Sequence, residues 1–163
     1  MNYPADQHSG LHIALIEPEI PPNTGNIVRL CAATYATLHL VGKLGFRIDE
    51  KAVRRAGLDY WDEVELHHHY TLAAFRQALP NSRLVLIETG AKYCYTDWQF
   101  QPQDCLVFGR ETLGLPPDFV AEHYENSLYI PMPNPRVRSL NLANSVSLVL
   151  YEALRQLKVK SEK

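Results

Sequence analysis

Short apolar runs without polar alternation constrain this chain more than any other feature. Leu11–Ile16 (LHIALI), Leu38–Val41 (LHLV), Arg83–Glu88 (RLVLIE) and Asp104–Phe108 (DCLVF) are almost continuously apolar. A strand with one face in water alternates apolar and polar residues, whereas a strand covered on both faces does not have to. Such runs therefore predict strands buried on both sides. Between them lie segments with helical spacing. A helix is expected from about Asn23 to Tyr35, with Ile27, Leu30, Cys31 and Tyr35 on one face. Further helices are expected over Asp49–Ala56, ended by Gly57, over Leu72–Leu79, stopped by Pro80, and near Asp118–His123. The last is expected over Asn141–Lys158, with Leu142, Val146, Val149, Leu150, Ala153 and Leu157 as its apolar stripe. Val64–Leu66 and Ser127–Ile130 complete the set as shorter strands. Strands alternating with helices predict an α/β fold around a mostly parallel sheet with helices on both faces.

The 163 residues, 46% hydrophobic and 21% charged, are those of one globular domain, and no repeat or linker divides them. No apolar run nears the roughly 20 residues that span a bilayer, so no membrane role is expected. Met1–Gly10 is polar, contains Pro4 and reads as a loose arm. Cys31, Cys94 and Cys105 are odd in number and lack metal-type spacing, which points to reduced structural thiols in a cytosol. The triplet His67-His68-His69 resembles a metal site, yet neighbouring strand residues point to opposite faces, so the three cannot converge. No metal is expected. Phosphate-loop, dinucleotide, zinc-protease and hydrolase-elbow fingerprints are all missing from the sequence.

Chemistry is concentrated where strands end. Pro21-Pro22-Asn23-Thr24-Gly25-Asn26-Ile27-Val28-Arg29 joins the first strand to the first helix, the position at which open α/β sheets bind ligands. Asn23 suits a helix N-cap. Arg29, two residues from Ile27, points away from the apolar stripe toward solvent, a ligand or another subunit. Phe108-Gly109-Arg110-Glu111-Thr112-Leu113-Gly114-Leu115-Pro116 follows a strand with a glycine that permits close approach to the backbone. Ile130-Pro131-Met132, then Arg136 to Ser145, leads into the last helix, and Ser139 or Asn141 suits its cap. Each segment has a bland reading as a turn or cap; together they mark one sheet edge. The net charge of −2 neither supports nor excludes a nucleic-acid partner. Basic residues do gather locally at Arg54-Arg55, at Arg136 with Arg138, and in the tail from Arg155 through Lys158 and Lys160 to Lys163.

Taken in order, N-x-G-N-x-x-R (Asn23 to Arg29), F-G-x-E-x-x-G-L (Phe108 to Leu115) and I-P-M…S-L-N-x-x-N (Ile130 to Asn144) resemble the three motifs of the SpoU branch of the SPOUT RNA methyltransferases. The intact EPEIPPNTGNIVRLCA and RRAGLDYW segments most resemble its minimal tRNA wobble-ribose type. One departure is Arg110, where that type commonly has proline. The resemblance implies a deep C-terminal trefoil knot, a homodimer, S-adenosylmethionine as cofactor and the tRNA anticodon arm as partner. It implies cofactor contacts at Ile87, Gly109, Ile130, Ser139 and Leu140, and catalytic positions at Arg29, Glu111 and Asn141. Arg54, Arg55, Arg136 and Arg138 are the candidate RNA contacts. The reaction so implied is methylation of the 2′-hydroxyl of a wobble C or modified U, in leucine tRNAs. The competing readings are a 2′-O-methyltransferase for another RNA position, an RNA-binding protein with a vestigial cofactor fold, and an enzyme using an adenosine-type ligand for other chemistry.

Overall fold

A computed structural model describes residues 9–57 and 59–161, with side chains as far as Lys158. The expected loose arm, apart from its last two residues, and the side chains of Lys160 and Lys163 lie outside the described residues. Seven strands of the described residues form one sheet: β1 (His12–Ile16), β2 (Thr37–Val41), β3 (Leu66–His69), β4 (Leu84–Ile87), β5 (Tyr93–Cys94), β6 (Cys105–Phe108) and β7 (Ser127–Tyr129). Their spatial order is β3-β2-β1-β6-β4-β7-β5, and every pairing between them is parallel. Among the described residues, five α-helices accompany them: α1 (Pro21–Thr34), α2 (Lys51–Gly57), α3 (Leu72–Ala78), α4 (Pro117–Glu122) and α5 (Leu142–Ser161).

The continuous apolar runs are explained by two cores, one on each face of the sheet. Ile13 and Leu15 of β1, Leu106 and Phe108 of β6, and Val85 and Ile87 of β4 pack against Ile27, Val28 and Cys31 of α1 and Val146, Val149 and Leu150 of α5. The alternate residues Ala14, Ile16, Leu86, Cys105 and Val107 meet Phe75 of α3 and Phe119 of α4. A parallel strand covered this way removes both of its faces from water. Burial pushes the Cys31 thiol up to about 12 and raises Cys105 as well, so both are inert packing groups.

Two expectations require correction. The third strand is Leu66–His69, not Val64–Leu66. It is the edge strand beside β2, and an edge is held by backbone pairing and needs no apolar run. Its histidines divide between faces as strand geometry demands. His67 and His69 turn to the α3 side, where both rings stack on His39 and where His39 and His69 meet Phe75. His68 turns the other way and donates to the Gly42 carbonyl at 3.1 Å. Second, α1 begins at Pro21, two residues before Asn23, so Asn23 is not its N-cap. Prolines suit the first turn because their missing N–H would have no partner there.

Candidate functional site

All strands run parallel, so their C-terminal ends share one edge, where an open α/β sheet presents ligand-binding loops. A cavity of about 920 Å³ opens on this edge at the ends of β4, β6 and β7. Three loops enclose it: Glu88–Ala91 after β4, Gly109–Gly114 after β6 and Ile130–Leu142 between β7 and α5. Ile20 and Asn23 close it from the start of α1.

The middle loop is shaped by its own backbone. Arg110 N–H donates to the Gly114 carbonyl at 3.2 Å, and Gly114 N–H returns to the Arg110 carbonyl at 2.9 Å. A Cβ on Gly109 would lie 2.2 Å from the Gly114 carbonyl carbon and 2.3 Å from Leu115 N. Glycine is therefore required at 109 because the loop folds back upon itself, not solely because a ligand approaches. Arg110 contributes an N–H that proline would lack, and its guanidinium pairs with Glu17 at 2.9 Å.

Glu111 makes the long-range connection. One carboxylate oxygen accepts from Glu19 N–H at 2.8 Å, the other from Ile20 N–H at 3.0 Å. It thus supplies, from the far side of the sequence, the anionic cap that α1 lacks locally, since no side chain of its own N-cap residue does so. The same carboxylate accepts from Asn23 Nδ2 at 3.3 Å. Asn23, 6% exposed, accepts in turn from Asn141 Nδ2 at 3.0 Å. Asn141 caps α5: its Oδ1 accepts from Asn144 N–H at 3.1 Å. Glu111, Asn23 and Asn141 thereby tie the three sequence segments together at the cavity wall.

Ile87, Gly109, Ile130, Ser139 and Leu140 all line this cavity, as do Glu111, Asn141 and Arg138. Arg29 does not; it is exposed on α1, away from the lining. Arg55 and Arg136 are exposed, and Arg54 lies over the Trp61 ring, 4.3 Å from its centre. Arg155 of the tail pairs with Glu152 at 2.8 Å.

Glu88 was not foreseen. Its Oε2 accepts from Leu115 N–H at 2.7 Å and its Oε1 from Thr89 N–H at 3.1 Å, so it braces the Gly109–Gly114 loop from the β4 side. The available signal was an acid ending an otherwise apolar run at a ligand-binding edge. The described residues hold no group of His, Cys, Asp or Glu able to bind a metal, and no described helix is long and apolar enough to cross a membrane.

Residues 10–151 match the SpoU rRNA methylase family. An Escherichia coli K12 protein named tRNA (cytidine(34)-2'-O)-methyltransferase is 47% identical over 148 residues, covering 90% of this chain and 94% of that one. A Geobacillus stearothermophilus relative is 47% identical over 149 residues, with 90% and 94% covered. Among solved structures, one described as giving insights into the 2-OH methylation of C/U34 on tRNA superposes with a TM-score of 0.87 at 44% identity, covering 91% of this chain and 96% of that one. An AdoMet-bound rRNA methyltransferase from Sinorhizobium meliloti shares the fold, with a TM-score of 0.83 at 24% identity and 93% and 58% covered. With its three motifs gathered at one cavity and the family match running through nearly the whole chain, this protein belongs to the SpoU methylase family.

Proposed function

We propose that this chain transfers a methyl group from S-adenosylmethionine to the 2′-hydroxyl of the wobble nucleotide of tRNA, a C or modified U, in leucine-type tRNAs of the cytosol. The carrying observation is the Glu111–Asn23–Asn141 chain, which closes three distant segments around one cavity. The cavity fits the cofactor. Its volume lies within the range of small-ligand sites. Ile87, Phe108, Ile130 and Leu140 offer apolar walls for an adenine, and Glu88 and Ser139 offer polar groups for hydroxyls and charge. Gly109, Ser139 and Leu140 also bring backbone to its surface.

When bound, S-adenosylmethionine supplies an electrophilic methyl on a sulfonium. The protein has to present a ribose hydroxyl to it and accommodate loss of the hydroxyl proton. Arg29 holds the hydroxyl and the neighbouring phosphate, and stabilises charge developing on oxygen. A guanidinium remains protonated in proteins, so it does not act as the base; a phosphate oxygen or water takes the proton. Glu111 and Asn141 are positioning residues that fix the loops. Because Arg29 does not line the cavity of its own chain, it serves the cavity of a second subunit in a homodimer. Leu148 and Tyr151, 43% and 53% exposed on α5, provide apolar surface for that association, and α1 packs beside α5. The single domain carries the family's trefoil knot in its C-terminal half. Arg54, Arg55, Arg136 and Arg138 contact RNA phosphates, which position a substrate without specifying its sequence.

The test incubates the protein with labelled S-adenosylmethionine and tRNA lacking the modification, followed by mass spectrometric mapping. A 2′-O-methyl group on the wobble nucleotide is expected. Methylation confined to ribosomal RNA, or to another tRNA position, contradicts the wobble assignment.

A further inference from the structure

A second cavity, of about 680 Å³, lies on the same sheet edge at the ends of β2 and β3. Tyr70, 80% exposed, stands on its wall immediately after β3. Its ring contacts that of His68, with centres 4.5 Å apart. The His68 ring is held by donation to the Gly42 carbonyl. Gly42 itself sits at φ +80°, where a side chain is strained, and a Cβ there would meet Glu17 Cγ at 2.8 Å. The aromatic pair thus rests on a fixed turn. Lys43, Arg47 and Arg54 line the same cavity, against one lining carboxylate, Asp49, which pairs with Arg47 at 2.9 Å. In a chain of net charge −2 this is a local cationic excess.

The two cavities adjoin the same short loop. Gly45 N–H donates to the Pro18 carbonyl at 2.9 Å on one side. On the other, Glu17 pairs with Arg110, and Thr112 Oγ1 donates to Glu19 at 2.7 Å. Strand spacing places β3 and β6 about 14 Å apart, a span that a few nucleotides of an unstacked strand can cross. An exposed aromatic ring that shares a cavity with cations has the chemistry of a nucleotide-stacking platform: the ring takes a base face and the cations take its phosphate.

We propose that the substrate RNA crosses the Glu17–Ile20 loop from the methylation site and stacks one unpaired base on Tyr70 and His68, with its phosphate on Lys43 and Arg54. This rests on the reading of the protein as an RNA methyltransferase. The experiment measures binding of a full-length tRNA transcript by fluorescence anisotropy, with methyl transfer recorded on the same samples. Wild type, Tyr70→Ala, Tyr70→Phe and Lys43→Ala are compared. Tyr70→Ala weakens tRNA binding about 5- to 140-fold, the range of one lost base stack, while Tyr70→Phe stays within about twofold of wild type. Lys43→Ala flattens the dependence of binding on salt. The melting-temperature rise with S-adenosylhomocysteine is unchanged in all three, which shows an intact fold and cofactor cavity. Methylation by wild type together with unchanged binding in Tyr70→Ala overturns the platform and leaves the methyltransferase reading standing. An equal loss in Tyr70→Phe also overturns stacking, since the hydroxyl would then be the contact. Wild type that binds tRNA but methylates no RNA rejects the enzymatic reading instead.

Discussion

Helix α1 carries Asn23 and Arg29 six residues apart, about 120° around its axis, and the surroundings of the two differ. Asn23 is buried and bonded on both sides, to Glu111 and to Asn141. Arg29 is exposed and lines nothing in its own chain's cavity. On the side facing the cavity, Asn23 joins the Gly109–Gly114 loop, through Glu111, to the start of α5, through Asn141. The other side carries Arg29, the proposed catalytic position, outside the lining of that cavity. On the proposed function, a cavity closed within the subunit beside an Arg29 left outside it is the arrangement expected of a site shared between two subunits.

That contrast can be broken most forcefully at Arg29. Arg29→Ala should lower the methylation rate about 100- to 1000-fold, the usual cost of removing a donor to developing charge. Arg29→Lys should recover little, because the ammonium lacks the planar fork. Cofactor affinity, measured by calorimetry with S-adenosylhomocysteine, should be unchanged in both. Near-normal turnover would return Arg29 to ordinary surface status.

Glu111→Ala should act in the opposite manner. It leaves the Glu19 and Ile20 N–H groups without their acceptor, at about 1–3 kcal/mol of stability. It also frees Asn23 from one side, so cofactor binding should weaken along with stability. Chemical denaturation and calorimetry on the same variant check both. Loss of turnover with stability and cofactor affinity intact would make Glu111 a reacting group and not a brace.

The smallest effect concerns a region on the opposite face of the sheet, complete within the chain and remote from the cavity. His39, 3% exposed, bonds through one ring nitrogen to His12 and through the other to His69, each at 2.9 Å. Burial, with His12, His69 and His67 nearby, lowers its pKa to about 3; His12 and His69 shift in the same direction, burial foremost, although Glu65 opposes the shift at His12. The folded state therefore holds His39 neutral, whereas the unfolded chain protonates it below about pH 6.5. Stability is full above that pH and falls as pH drops toward the folded value, by about 2 kcal/mol from His39 at pH 5. His39→Leu should flatten the stability profile between pH 6.5 and 5, with methylation at neutral pH retained. An unchanged acid slope would place the proton uptake elsewhere.

The sheet was readable in the sequence because strands covered on both faces leave continuous apolar runs, as in LVLI and CLVF. The edge strands were less so. Leu66–His69 is polar and half exposed and Tyr93–Cys94 spans two residues, so neither carries a hydrophobic period. The cavity lining followed from the family resemblance, and its members do converge. How they are joined was hidden, because the cap of α1 comes from Glu111, 91 residues beyond Ile20, and local spacing around Asn23 cannot reveal such a partner. The role of Glu88 was hidden for the same reason: its acceptor atoms serve Leu115, 27 residues on.

The shared site is tested most directly by mixing two inactive variants. Arg29→Ala keeps an intact cofactor cavity, and Gly109→Val, whose side chain would strike the Gly114–Leu115 backbone, keeps Arg29. If the chain forms the proposed homodimer, co-expressed variants give heterodimers in which one composite site is built wholly from unaltered parts. If each cavity works with its partner's Arg29, an equal mixture should regain about a quarter of wild-type methylation, since half the dimers are mixed and each holds one good site of two. Activity no higher than either parent alone, although sedimentation shows mixed dimers present, or full activity in a wild-type monomer, would contradict the shared site.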